Sequence, residues 1–250
     1  MKPITTIKQT FQTTAAAGAV VLLASCAATQ TAIEHRTLES DTRLSQTIFL
    51  DPVSSNQKTI YLSVKNTSQE QFSIDKGLKS ALEQRGYQVV NNPARAHYLL
   101  QANILKVGKM SKSASQSALG GGYGSALAGA GTGAAFGALS GNGTTALAGG
   151  IAGGLIGLAA DSLVKAVNYT MITDLQLSER VGAGVRVHEQ FSAALANGNS
   201  SASYQTSTKE SHYQRYRTRI VSNADRVNLS FAQARPALEQ GLIKTLSGIF

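Results

Sequence analysis

Few residues of this chain are spaced to do chemistry. One cysteine, Cys26, stands among 250 residues, which excludes a disulfide framework and a cysteine-ligated zinc site and leaves a thiol acting alone. The histidines His35, His97, His188 and His212 are scattered, with no H-E-x-x-H pair and no carboxylate at ligand spacing beside them. Each reads as a surface or internally bonded side chain. Neither a G-x-S-x-G nucleophile turn nor a G-x-x-x-x-G-K-[ST] phosphate loop occurs. Gly129-x-Gly131-x-x-Ala134 fits a loose dinucleotide pattern, but no strand precedes it and it reads as helix packing. No enzyme, cofactor or metal is expected. Arg215, Arg217 and Arg219 fall on one face of a strand with Tyr213, an arrangement that suits phosphate on a lipid or cell-wall polymer; the plainer reading is a solvated strand face.

The position of Cys26 assigns its thiol. Residues 1–25 read as a removable signal, with Lys2 and Lys8, an apolar run from Ala15 to Ala24 and small residues before the cut. Leu23-Ala24-Ser25-Cys26 resembles the lipobox of bacterial lipoproteins, which implies a diacylated thiol, cleavage before Cys26 and an acylated new amino group. At about 0.8 kcal/mol per buried CH₂, one acyl chain binds a membrane marginally, whereas two or more hold it stably. Ala27 in place of Asp implies sorting to the outer membrane. The alternative is a buried free cysteine behind an ordinary signal peptide.

The net charge is +9, and removing residues 1–25 takes away two lysines to leave 225 residues at +7. Such a charge favours anionic surfaces: lipid headgroups, lipopolysaccharide phosphates or nucleic acid, of which the signal segment disfavours the last. With 42% hydrophobic and only 15% charged residues, the chain is neither a linker nor a disordered tail.

Its organisation divides into residues 26–112 and 161–250, two parts of one lipid-anchored α+β domain, separated by an insert at 113–160. That insert contains no Asp, Glu, Lys or Arg and holds 15 of the 24 glycines. Ala118 to Leu139 and Ala146 to Ala160 are apolar, with Ser140-Gly141-Asn142-Gly143-Thr144-Thr145 as a turn between them. The reading is a two-helix hairpin, about 33 Å and 22 Å long at 1.5 Å per residue, inserted in the outer membrane with Asn142 and Gly143 at its surface tip. Gly129, Gly133, Gly137 and Gly141 recur every four residues, as do Gly149, Gly153 and Gly157. Such rows let helix backbones approach closely and predict a homo-oligomer. A buried hairpin within a periplasmic oligomer and a low-complexity loop are the competing readings. Lys106, Lys109, Lys112 and Lys165 flank the insert, either at anionic headgroups or in a solvated linker.

Around the insert, Ile60, Leu62 and Val64 alternate as a strand. Ile74, Leu78, Ala81 and Leu82 mark a helix face closed by Gly86. Further strands are expected at Tyr87 to Val90, His97 to Val107, Asn168 to Leu177, Val185 to Phe191, Tyr204 to Thr208 and Tyr213 to Ser222. The strands flanking the insert should lie side by side, with the hairpin projecting from their ends. Leu238, Leu242, Leu246 and Ile249 stripe a closing helix with Pro236 in its first turn.

The segments Tyr61 to Ser68 (YLSVKNTS), Gly86 to Val90 (GYQVV), Gln101 to Lys106 (QANILK), Gly153 to Asp161 (GGLIGLAAD), Val167 to Arg180 (VNYTMITDLQLSER) and Thr218 to Leu229 (TRIVSNADRVNL) resemble the TraT family of conjugative-plasmid lipoproteins, nearly throughout the chain. The resemblance implies a surface-exposed, oligomeric outer-membrane lipoprotein that reduces redundant mating between cells carrying related plasmids and lessens complement killing. Its partners would be outer-membrane lipid, copies of itself and the mating apparatus or an outer-membrane receptor of another cell. Two other classes stay open on the residues alone: a structural or pore-like lipoprotein, and a periplasmic enzyme or chaperone tethered through Cys26.

Overall fold

The structure, a computed structural model, describes residues 35–125, 127, 166–182, 187–196 and 202–250. Six strands form one sheet: β1 (Glu39–Leu44), β2 (Thr59–Asn66), β3 (Gln88–Val89), β4 (Tyr98–Lys109), β5 (Ala166–Arg180) and, after the ribbon β6 (Val187–Ala196) and β7 (Ala202–Ser211), β8 (Tyr213–Val227). Their order is β1-β8-β5-β4-β2-β3, while β6 and β7 pair antiparallel with each other. β2 runs parallel to β3 and β4, whereas β4–β5, β5–β8 and β8–β1 are antiparallel.

Alternation sorts the side chains onto two faces. On the first, Tyr98, Leu100, Ala102 and Ile104 of β4 join Met171, Leu175 and Leu177 of β5 and Ile220 and Ala224 of β8 in the main core. Helices α1 (Asp75–Gln84) and α3 (Phe231–Gly248) cover it. In α3, Ala234, Leu238, Leu242 and Leu246 recur every four residues and are at most 1% exposed. Fully burying each leucine contributes roughly 1.5–3 kcal/mol. The end of α1 explains its glycine: Gly86 has φ +83°, its N–H donates to Glu83 O at 3.0 Å and that of Tyr87 to Leu82 O at 3.1 Å, a Schellman closure.

The second face carries helix α2 (Lys112–Gly121), capped where the Ser111 hydroxyl accepts from the Ala114 N–H. Ala114 and Ala118 pack on Ile172 and Val221 with Met110, a small cluster separate from the main core.

Four details depart from the sequence reading. The apolar stretch from Ala118 does not begin one continuous helix, because α2 ends at Gly121 and Gly122 takes φ +69°. The two strands flanking the insert do pair, but the first residues of the insert, in α2, lie along the sheet rather than projecting from the strand ends; the rest of the expected hairpin lies outside the described residues. Pro236 is the sixth residue of α3, not in its first turn. The helix starts earlier because Ser230 and Gln233 form its capping box, with the Gln233 carbonyl accepting from the Ser230 N–H at 3.2 Å. Strand β1, charged and at the sheet edge, was not expected at all. Among the described residues, no helix is long and apolar enough to cross a membrane.

Candidate functional site

The most constrained polar group of the described residues sits beneath the first residues of the insert. Arg219 projects from the middle of β8 onto the second face and is 0% exposed. Its Nε–H donates to Asp174 Oδ1 at 2.7 Å and its NH2 group to Asp174 Oδ2 at 3.1 Å, a two-pronged pair across the β5–β8 ladder. The remaining donors reach the carbonyl of Ala118, the hydroxyl of Ser125 and, at 3.0 Å, the Ser125 carbonyl. All five guanidinium N–H groups are thus used. Asp174 takes a further bond, from the Gly124 N–H at 2.9 Å. A buried charge is tolerated only when paired and fully bonded, and here the pairing draws on both ends of the segment from Ala118 to Ser125. The turn at Gly122 brings Ser125 back over the guanidinium.

This geometry corrects the expectation for Arg219: it is not available to an external anion. Arg217 and Arg215, one and two ladder steps away opposite Gln176 and Ser178, stay half-exposed. Arg217 donates through Nε to Gln176 at 2.8 Å, and its guanidinium carbon stands 5.8 Å from the Tyr123 ring centre. Tyr213 is engaged with Arg180, whose guanidinium lies 5.2 Å over its ring and donates to its hydroxyl at 2.8 Å.

At the far end of the first face lies a second titratable group. Glu179, 14% exposed, accepts from the Tyr98 hydroxyl at 3.3 Å and the Tyr216 hydroxyl at 3.2 Å, with His97 Nε2 at 3.9 Å. Burial, then the Glu179 charge, holds Tyr216 neutral with its pKa pushed up to about 12, and raises Tyr98 further. Burial pulls the His97 imidazolium down, against the Glu179 charge that raises it, while Arg180 adds to the lowering. Tyr87, Tyr98 and Phe250 stack edge to face around this group, with centroids 5.0–6.1 Å apart. The arrangement is a hydrogen-bonded anchor for the sheet end, with no nucleophile poised beside a base.

Of the other flagged residues, His35 Nδ1 lies 2.9 Å from an Asp225 carboxylate oxygen, and Lys112 reaches the same carboxylate at 3.1 Å, turned toward the protein. His212 is exposed. Among the described residues no group of His, Cys, Asp or Glu is placed to hold a metal. Cys26, Gly129, Gly133, Gly137, Gly141, Asn142, Gly143, Gly149, Gly153, Gly157 and Lys165 lie outside the described residues. So do the Gly129-x-Gly131-x-x-Ala134 pattern and, but for its first residues, the expected hairpin. The sequence reading missed Asp174, Ser125 and Glu179. Asp174 left a signal, as the lone charged residue before Glu179 in β5.

The family model described as "Enterobacterial TraT complement resistance protein" matches residues 37–250. An Escherichia coli protein named TraT complement resistance protein is 47% identical over 238 residues, covering 94% of this chain and 96% of that one. The protein of that name from Escherichia coli strain K12 is 46% identical, covering 91% and 92%. One from Wigglesworthia glossinidia brevipalpis is 28% identical over 91% of both chains. With a family match beginning just before β1 and running to Phe250, and near-half identity over almost the whole length, the chain belongs to the TraT complement resistance family.

Proposed function

We propose that this chain is an outer-membrane lipoprotein, acylated at Cys26, that works at the cell surface by non-catalytic contact, lowering complement killing and reducing redundant mating between cells that carry related plasmids. The observation that carries the reading is the near-full-length identity to proteins named for complement resistance. The lipobox at Leu23 to Cys26 supplies the anchor, and the charge-free insert with its two glycine rows supplies a membrane-inserted, oligomerising hairpin. In this arrangement the Arg219–Asp174 pair fixes the point at which the insert departs from the domain.

The test is to express the full chain and its Cys26→Ala variant in a plasmid-free, serum-sensitive strain. The full chain should raise survival in serum and depress its host's acceptance of a related conjugative plasmid, and Cys26→Ala should lose both. Unchanged survival and mating with the wild-type chain present in the outer membrane would defeat the reading. Labelling of Asn142→Cys on intact cells by a membrane-impermeant thiol reagent tests the hairpin's topology separately: labelling only after lysis would place its tip inside.

A further inference from the structure

Strand β1 is an edge of the sheet, paired with β8 on one side. Just beyond it the Ser45 N–H donates to Arg219 O at 2.8 Å, so Arg43, Asp41 and Glu39, at alternate positions, turn their backbone N–H and C=O groups toward β8. Those of Ser40, Thr42 and Leu44 therefore point out of the sheet, and among the described residues they meet no hydrogen-bond partner. The same three residues line a groove of about 640 Å³ between β1 and α3. The helix borders it with Ala237, Gly241, Thr245 and Gly248, all small, and with the long, exposed Lys244. A Cβ on Gly241 would run into Thr42 Oγ1, so α3 leans directly on the strand. The opposite edge of the sheet offers less, since β3 is two residues long.

We propose that β1 is a docking edge for β1 of a second copy of this chain, running antiparallel across a two-fold axis at Thr42. Symmetric registers near the middle of the strand centre on Asp41, Thr42 or Arg43, and charge separates them. Centring on Asp41 or Arg43 sets that residue opposite its own copy, like charge against like, which is unfavourable. Centring on Thr42 sets Asp41 of each copy opposite Arg43 of the other, and it alone engages Ser40, Thr42 and Leu44 of both strands in backbone bonds. Within one copy Arg43 already holds Asp41 through Nε at 3.0 Å, with the two side chains 64% and 48% exposed. The second copy closes this pair into a ring of four alternating charges, so neither residue gives up its partner. Charges on an edge strand commonly repel other strands. Here they are of opposite sign and match themselves in one register, which favours pairing with an identical strand. The axis is perpendicular to the sheet, so the two α3 helices meet over the joined groove, where their small residues leave room. Both second faces then look to one side, and with them the first residues of both inserts. This contact is separate from the glycine rows of the insert and does not rest on acylation or membrane insertion.

The experiment uses the full chain, purified in detergent micelles, as two differently tagged variants, Asp41→Cys and Arg43→Cys, co-expressed and also prepared singly, then reduced and reoxidised. In the proposed register the introduced thiols of the mixture face each other at a non-hydrogen-bonded pair, with Cα atoms about 4.5 Å apart, within the span of a disulfide. The second Asp41–Arg43 contact of the same dimer stays intact. The mixture should form a disulfide between the two tags about fivefold more than either variant forms with itself. Adding Thr42→Pro to both variants removes an N–H that faces out of the sheet, leaves the β8 ladder whole, and should cut the mixed disulfide about fivefold. Should the proline chains fail to fold by circular dichroism, the comparison of the mixture with the single variants decides alone. The chain without an introduced cysteine sets the background, and cross-linking there would report a Cys26 thiol left unacylated, a failure of the anchor reading and not of this one. No disulfide above background in the mixture, an equal yield in either variant alone, or a mixed disulfide unchanged in folded Thr42→Pro chains would each overturn the proposal.

Discussion

On one face of the sheet, α1 and α3 are seated by rows of leucines against Tyr98, Leu100 and Leu175. On the other, α2 rests on two alanines, and the turn that follows it is held by a buried arginine and its carboxylate. Apolar burial is non-directional and tolerates small shifts of a helix. A bonded guanidinium does not, because each of its five donors has a fixed direction. The first face therefore supplies stability and the second supplies position, for the first residues of the charge-free insert.

The contrast can be broken from either side. Leu242→Ala on α3 should cost about 3–5 kcal/mol of global stability in denaturant titration, as a cavity opens in the main core, and should unfold all elements together. Arg219→Met should cost about 3 kcal/mol, since it strands the Asp174 carboxylate, at the low end of the range for a broken buried pair because Asp174 retains 11% exposure. Pairing it with Asp174→Leu should recover part of that loss in the same titration, an outcome with no counterpart on the leucine face. Gly122→Ala forces a side chain into φ +69°, ψ −174°, and should cost about 1–3 kcal/mol, read as weakened protection of α2 ahead of the rest.

The smallest expected effect is a pH dependence at the sheet end. The folded-state pKa of His97 is lowered, chiefly by burial, so the unfolded chain binds the proton more readily. Its contribution is present above the unfolded pKa of about 6.5 and is lost as pH falls below it through the folded value. Thermal melts from pH 7.5 to 5 should show a stability decline that His97→Gln flattens.

Much of the first face was legible in the residues. Ile60, Leu62 and Val64, the alternation from Asn168 to Leu177 and the leucine stripe of α3 are periodic, and burial follows period. The second face was less so, because Ile172 and Val221 stand on it among Asp174, Gln176, Arg217 and Arg219. Arg215, Arg217 and Arg219 have the same spacing and type, yet only the register of β8 against β5 decides which one meets Asp174. Register is a long-range property that no window of β8 contains. Strand β1 escaped for a related reason: Glu39 to Leu44 is an edge strand with no apolar alternation, and it exists through pairing with β8. Gly122 was one glycine among 15 in a charge-free run, and its role as a helix stop was hidden by its neighbours.

The claim that the Arg219–Asp174 pair positions the start of the insert is tested most directly by amide hydrogen exchange on the wild type and Arg219→Met. The variant should lose protection in the amides of residues 114–125 while those of α3 remain near their wild-type values. Unchanged protection across 114–125, or a loss spread evenly over α2, α1 and α3, would contradict it.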